Sequence, residues 1–107
     1  MKLFFHKFVI FFPISLFAMD IINISGKVVS ESGEELIGAN VSMVGGSSGT
    51  ATDASGNYRF DLMKREVENP FLLKASYIGY QSVVDTIQLE RIQEDRLEIN
   101  FSLPADV

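Results

Sequence analysis

Apolar and polar residues alternate in short runs through most of this chain, and glycine, serine, asparagine and aspartate cut the runs apart. In a first run Ile22, Ile24, Gly26 and Val28 share one face, with Asn23, Ser25 and Lys27 on the other. A second run, 39–44, points Ala39, Val41 and Met43 one way, and a third, short one covers 49–52. In a fourth, 57–62, Tyr58, Phe60 and Leu62 oppose Arg59 and Asp61. Leu73, Ala75 and Tyr77 share a face of a fifth, 71–78, and Leu97, Ile99, Phe101 and Leu103 share a face of the last. Period-two spacing bounded by turn residues predicts short strands with one buried face. A sixth strand over 80–89 has two candidate registers. Val83 and Ile87 fall on one face and Val84 on the other, which a bulge reconciles.

No run is apolar on both faces, which argues against a buried parallel sheet. The expected fold is therefore all-β, a seven-stranded antiparallel β-sandwich. Gly26, inside a strand, marks a bulge or a close backbone approach. Gly33 supplies positive φ to a turn in which Ser32 bonds the local backbone, Asp53 accepts backbone N–H bonds in an Asx turn to which Gly56 supplies positive φ, and Gly79 allows the sharp turn that Tyr80 packs over. Residues 63–69, MKREVEN, form a charged connection with room for one helical turn before Asn69-Pro70. A second solvated turn covers 90–96.

The start of the chain breaks the pattern. Lys2, His6 and Lys7 precede the apolar stretch 8–18, and Ala18 is a small residue at which a signal peptidase can cut. Six of the nine phenylalanines and no acidic residue lie here. Residues 1–18 therefore read as a secretory signal peptide and 19–107 as one exported domain. The stretch is shorter than the roughly 20 residues a membrane-spanning helix needs. The alternative is a buried N-terminal strand or helix, and Leu16 is larger than usual three residues before a cut.

Charge narrows the partners. The chain carries a net −5, and removing the leader takes Lys2 and Lys7 but none of the 14 acidic residues. An acidic domain suits neither nucleic acid nor insertion into an anionic membrane surface, since both recruit clustered Lys and Arg. There is no cysteine, and the only histidine is His6. Ser-His-Asp and Cys-His triads, and zinc sites built on His or Cys, thus have no residues beyond the leader. Glu34-Glu35 and Glu94-Asp95 are adjacent carboxylates in turns, where a solvated role is expected. Asp53 and Asn57 give the 53–57 loop a faint look of a calcium site, but one carboxylate falls short of the six to eight oxygens calcium takes. The 45–49 loop is glycine-rich without the lysine and helix of a phosphate loop. We expect no catalytic, cofactor-binding or metal-binding residue, and no cofactor.

The series Ile24-Ser25-Gly26-Lys27-Val28-Val29, Gly33, Leu36-Ile37-Gly38-Ala39-Asn40-Val41, Gly45, Gly49-Thr50-Ala51-Thr52-Asp53, Gly56-Asn57-Tyr58, Phe60 and Ser76-Tyr77-Ile78-Gly79-Tyr80 resembles the carboxypeptidase-regulatory-like domain. That family is a transthyretin-like seven-stranded sandwich. The likeness is strongest to the version at the N-terminus of SusC-type TonB-dependent outer-membrane receptors of Gram-negative bacteria, and it covers 22–103. It implies a non-catalytic accessory domain facing the periplasm, acting by protein contact with the receptor plug and barrel or with the periplasmic energising machinery. Such receptors continue into a plug and a long barrel. This sequence stops at Val107, so it reads as a fragment of a receptor or a free-standing copy. The alternative is a binding or adhesion module of another exported surface protein, because a fold does not fix a function.

Overall fold

The computed structural model describes residues 20–106, so the leader reading lies outside the described residues. Eight strands follow in order: β1 (Ile21–Ser30), β2 (Asn40–Met43), β3 (Gly49–Ala51), β4 (Asn57–Met63), β5 (Phe71–Ser76), β6 (Val83–Ile87), β7 (Arg96–Glu98) and β8 (Phe101–Leu103). Short 3-10 turns at Lys64–Glu66 and Leu89–Arg91 sit in the two charged connections. One sheet is built on β1, with β4 on one side and β7 and β8 on the other. The second runs β3-β2-β5-β6. The two apolar faces meet in a core that includes Ile24, Val28, Leu62 and Leu103 from the first sheet and Val41, Leu73 and Ile87 from the second. Burying one such side chain contributes about 1.5–3 kcal/mol, so the alternation read from the sequence is also the main stabilising term.

The sandwich expectation holds, and three details differ from it. First, β1 pairs antiparallel with β4 but parallel with β7 and β8. Local periodicity carries no information about which distant strand lies alongside. Second, β6 runs without a bulge: Ala75 to Phe71 pair in unbroken register with Val83 to Ile87. Val83, Asp85 and Ile87 take the core phase, and Val84 is left half exposed (50%). Third, β5 ends at Ser76 rather than Ile78, because Tyr77-Ile78-Gly79-Tyr80 closes a turn with Gly79 at φ +87° and the Tyr80 N–H bonded to the Tyr77 carbonyl at 3.0 Å.

Asp85 sits opposite Leu73 on the inner face of β6 and reaches Arg91 at 3.5 Å. An inward-facing charge on an edge strand discourages a further strand from pairing there. In the turn after β1 the sequence reading is adjusted. Ser30, not Ser32, bonds the backbone: its buried hydroxyl accepts the Glu34 N–H at 3.0 Å and contacts the Ser32 hydroxyl.

The last strand is interrupted where it crosses Gly26. Both of its halves keep one register on β1, Ile24 opposite Leu97 and Val28 opposite Phe101. In between, the Ile99 N–H still bonds the Ser25 carbonyl at 2.8 Å. The Ile99 carbonyl has turned away from the ladder and accepts the Tyr58 hydroxyl at 2.6 Å. The Lys27 N–H, which a regular parallel ladder would pair with that carbonyl, bonds the Asn100 side-chain oxygen at 2.9 Å instead. The Ile99 carbonyl and the Lys27 N–H thus each keep a partner at the break. Gly26 makes room for this exchange: a Cβ there would stand 1.8 Å from the Ile99 oxygen and 2.9 Å from the Tyr58 ring. Burial pushes the Tyr58 hydroxyl far above the ordinary tyrosine range, with the charges of Asp85 and Glu98 adding to it, so the ring stays a donor.

Two outcomes follow for equilibrium urea unfolding. Gly26→Ala should cost about 3 kcal/mol or more, since the obstructing atom is backbone and cannot swing aside; a loss below about 0.5 kcal/mol contradicts the close approach. Tyr58→Phe should cost roughly 1–3 kcal/mol near neutral pH by orphaning the Ile99 carbonyl. Because the folded pKa of Tyr58 lies above the unfolded value near 10, its contribution is complete below pH 10 and fades as pH rises beyond it. The native chain should therefore lose about 1.4 kcal/mol more per pH unit above 10 than the Phe variant does; parallel alkaline profiles contradict this.

Candidate functional site

Within 36–58 the polar groups of Thr52, Asp53 and Tyr58 are spent on backbone geometry. The Thr52 side chain, buried, accepts the Ala39 N–H at 2.9 Å and donates to the Leu36 carbonyl. One hydroxyl thus ties both sides of the corner at Gly38, whose φ is +83°. Asp53 makes the Asx turn expected of it: Oδ1 accepts the N–H groups of Ser55 at 2.9 Å and Asn57 at 3.0 Å. Gly56, at φ +80°, closes that turn onto the Asp53 carbonyl. Oδ1 of the loop's one carboxylate is thus spent on closing the turn. Gly49 has no positive φ. It serves close approach, since a Cβ there would fall 2.7 Å from the Val41 carbonyl oxygen.

Of the adjacent carboxylate pairs, Glu94-Asp95 lies in a turn as the sequence puts it, whereas Glu34-Glu35 follows the turn after β1 with Glu35 in an antiparallel bridge to Val29. Glu35 is tied to Lys27 at 2.9 Å while Glu34 is exposed. Asp95 is tied to Lys64 at 2.8 Å, and both Glu94 and Asp95 take left-handed backbone, at φ 54° and 61°. Among the described residues no three His, Cys, Asp or Glu side chains gather in a way that could hold a metal ion.

Two surface features remain. The outer face of the first sheet is a shallow trough. The small side chains of Asn23 and Ser25 floor it on β1, and Arg59 and Asp61 on β4 and Arg96 and Glu98 on β7 wall it. Asn23 donates to Asp61 at 3.0 Å. The second feature is an apolar end of the sandwich. The turns after Leu36 and after Tyr77 stand side by side there, Gly38, Asn40, Ser76, Tyr77 and Ile78 lining one shallow depression. Ile78 is 92% exposed and Ile37 is 56% exposed. Beneath them Tyr77 packs half-buried against the core and meets Tyr80 with ring centroids 5.8 Å apart.

Sequence reasoning found Asp53, Gly56, Gly79 and the inward ring of Tyr58 in their roles. It missed Thr52, Asn100 and the exposure of Ile37 and Ile78. The Thr-Asp pair ahead of the Gly56 turn was the available signal for Thr52. Nothing local could mark Asn100, whose partner Lys27 lies 73 residues away.

Comparison with known proteins agrees with this geometry. The chain is 35% identical over 92 residues to the TonB-dependent receptor SusC of Bacteroides thetaiotaomicron (strain VPI-5482). That match covers 84% of this chain and 9% of the receptor, so the chain spans about a tenth of that relative's length. Among solved structures, chlorocatechol 1,2-dioxygenase from Pseudomonas putida superposes with a TM-score of 0.63 at 15% identity, over 79% of this chain and 60% of that one. A type II cohesin–X-dockerin complex from Acetivibrio cellulolyticus gives 0.56 at 14% identity, over 78% and 58%. At such identities the likeness concerns the fold alone. A family model described as the CarboxypepD_reg-like domain matches residues 24–106, from the Ile24 that precedes the Gly26 crossing to the described end of the chain, and the protein belongs to that family.

Proposed function

We propose that this chain is the N-terminal accessory domain of a SusC-type TonB-dependent outer-membrane receptor, exported behind a cleaved leader and facing the periplasm, where it works by protein contact and not by catalysis. The observation that carries the reading is the 35% identity to SusC across 84% of the chain. The structure supplies the physical support. The motif residues that give the family its sequence signature, Gly49, Thr52, Asp53, Gly56 and Tyr58, are engaged in closing turns and in holding the last strand on β1. A surface made of short strand faces and tight turns suits docking between rigid bodies, in which partners move little.

The test is to read the genomic DNA beyond the codon for Val107. The proposal expects the frame to continue, or to resume after a single frameshift, into a plug and a barrel of alternating strands. A true stop with no barrel gene nearby contradicts it. For the non-catalytic part, metal analysis of the purified chain should find no stoichiometric zinc; a bound equivalent overturns that part.

A further inference from the structure

The end of the described chain is fixed at one place on the sandwich. The Gln81 N–H bonds the Pro104 carbonyl at 2.8 Å, Tyr80 bridges Ala105, and the Asp106 N–H bonds the Gly79 carbonyl at 3.0 Å. Residues 104–106 thus run antiparallel to 79–81 and deliver the chain beside the Ile78 turn. β1 begins at the opposite end, since Ile21 pairs with Met63 while Lys27 pairs with Asn57 next to the Gly56 turn. The same end that receives the chain terminus carries the two most exposed isoleucines, Ile78 and Ile37.

We propose that this apolar end is the seat of the polypeptide that follows the domain in a full-length receptor, with Ile78 and Ile37 as its anchors. The proposal rests on the receptor reading above. Three observations favour this occupant. The SusC relative extends far beyond the matched region, which is 9% of its length, so there is a large body to dock. The exit is strapped within one turn of Ile78, so the next residues enter at high effective concentration and need little ordering of their own. The backbone of the Ile78 turn is also braced: Gly79 in left-handed backbone, the Tyr80-to-Tyr77 bond and the Tyr77–Tyr80 ring contact close the turn with the isoleucine outward. A side chain presented on a braced turn needs little backbone ordering on burial, the property expected of an anchor. Of the other exposed large apolar residues, Val44, Leu72 and Val84 share no such link to a chain end, and Ile21, only 39% exposed, lies at the opposite end where β1 begins.

Hydrogen exchange followed by mass spectrometry tests the proposal. This chain alone is compared with the receptor polypeptide that the continued frame encodes. Peptides covering 36–38 and 77–80 should exchange about tenfold or more slowly in the receptor, while those over β6 are unchanged. Ile78→Asp in the receptor should restore fast exchange at both peptides and leave the core of β1 protected, since the side chain is solvent-exposed in the domain itself. Equal exchange in both proteins overturns the docking proposal and leaves the receptor reading standing. Dimerisation of the isolated chain that Ile78→Asp abolishes also overturns it, by assigning the surface to a second copy. A frame that ends without a barrel removes both readings together.

Discussion

The sandwich depends on a single exchange of hydrogen bonds where the last strand crosses Gly26. Tyr58 draws the Ile99 carbonyl out of the parallel ladder, and Asn100 fills the vacated position on Lys27. Three strands meet at this point: β4 supplies the phenol, β1 supplies the gap where a side chain would be, and the last strand supplies the carbonyl and the amide. Among the described residues β1 alone in its sheet is paired on both edges, so the position that fixes its parallel neighbour fixes the sheet. The Tyr58 hydroxyl meets its acceptor away from bulk water, where an unpaired carbonyl costs more than in solution. The buried phenol is thus held neutral by the same surroundings that make its bond matter.

The rest of the motif stretch works by the same logic on a smaller scale. Thr52 fastens the corner that carries the chain from β1 towards β2, and Asp53 with Gly56 turns it into β4 so that Tyr58 arrives in register. The side chains of Thr52 and Asp53 are each paired with backbone groups of their own corner or turn. This is why the domain can be small, acidic and free of cysteine and still close a core: the turns are specified by side-chain bonds, and the strands by alternation. What is left for recognition is shape at the surface. One such shape is the pair of turns at the end where the chain leaves.

Much of the strand pattern was legible in the sequence because alternation is a local signal. Ile22, Ile24, Val28, Val41, Leu73, Phe101 and Leu103 all face the core as their spacing requires. Turn chemistry was legible for the same reason at Asp53, Gly56 and Gly79. Legibility ended where one residue's role depends on a distant one. The parallel neighbour of β1, the substitution by Asn100 and the closeness of Ile99 to Gly26 all join residues more than 70 positions apart. Val84 misled for a different reason: an exposed valine suits a strand as well as a buried one, so its outward face read as a register conflict. No catalytic grouping was read from the sequence, and the family membership rests on the resemblance of the whole series rather than on any one residue.

The central claim is that Tyr58 and Asn100 act as one device, each needed because of the other. A double-mutant cycle in urea, with Tyr58→Phe and Asn100→Ala made singly and together, tests this most directly. The account predicts that the double variant is less destabilised than the sum of the singles by about 0.5 kcal/mol or more, because an Ile99 carbonyl released by Tyr58 can return to the Lys27 N–H that Asn100 no longer serves. Strictly additive losses would contradict it.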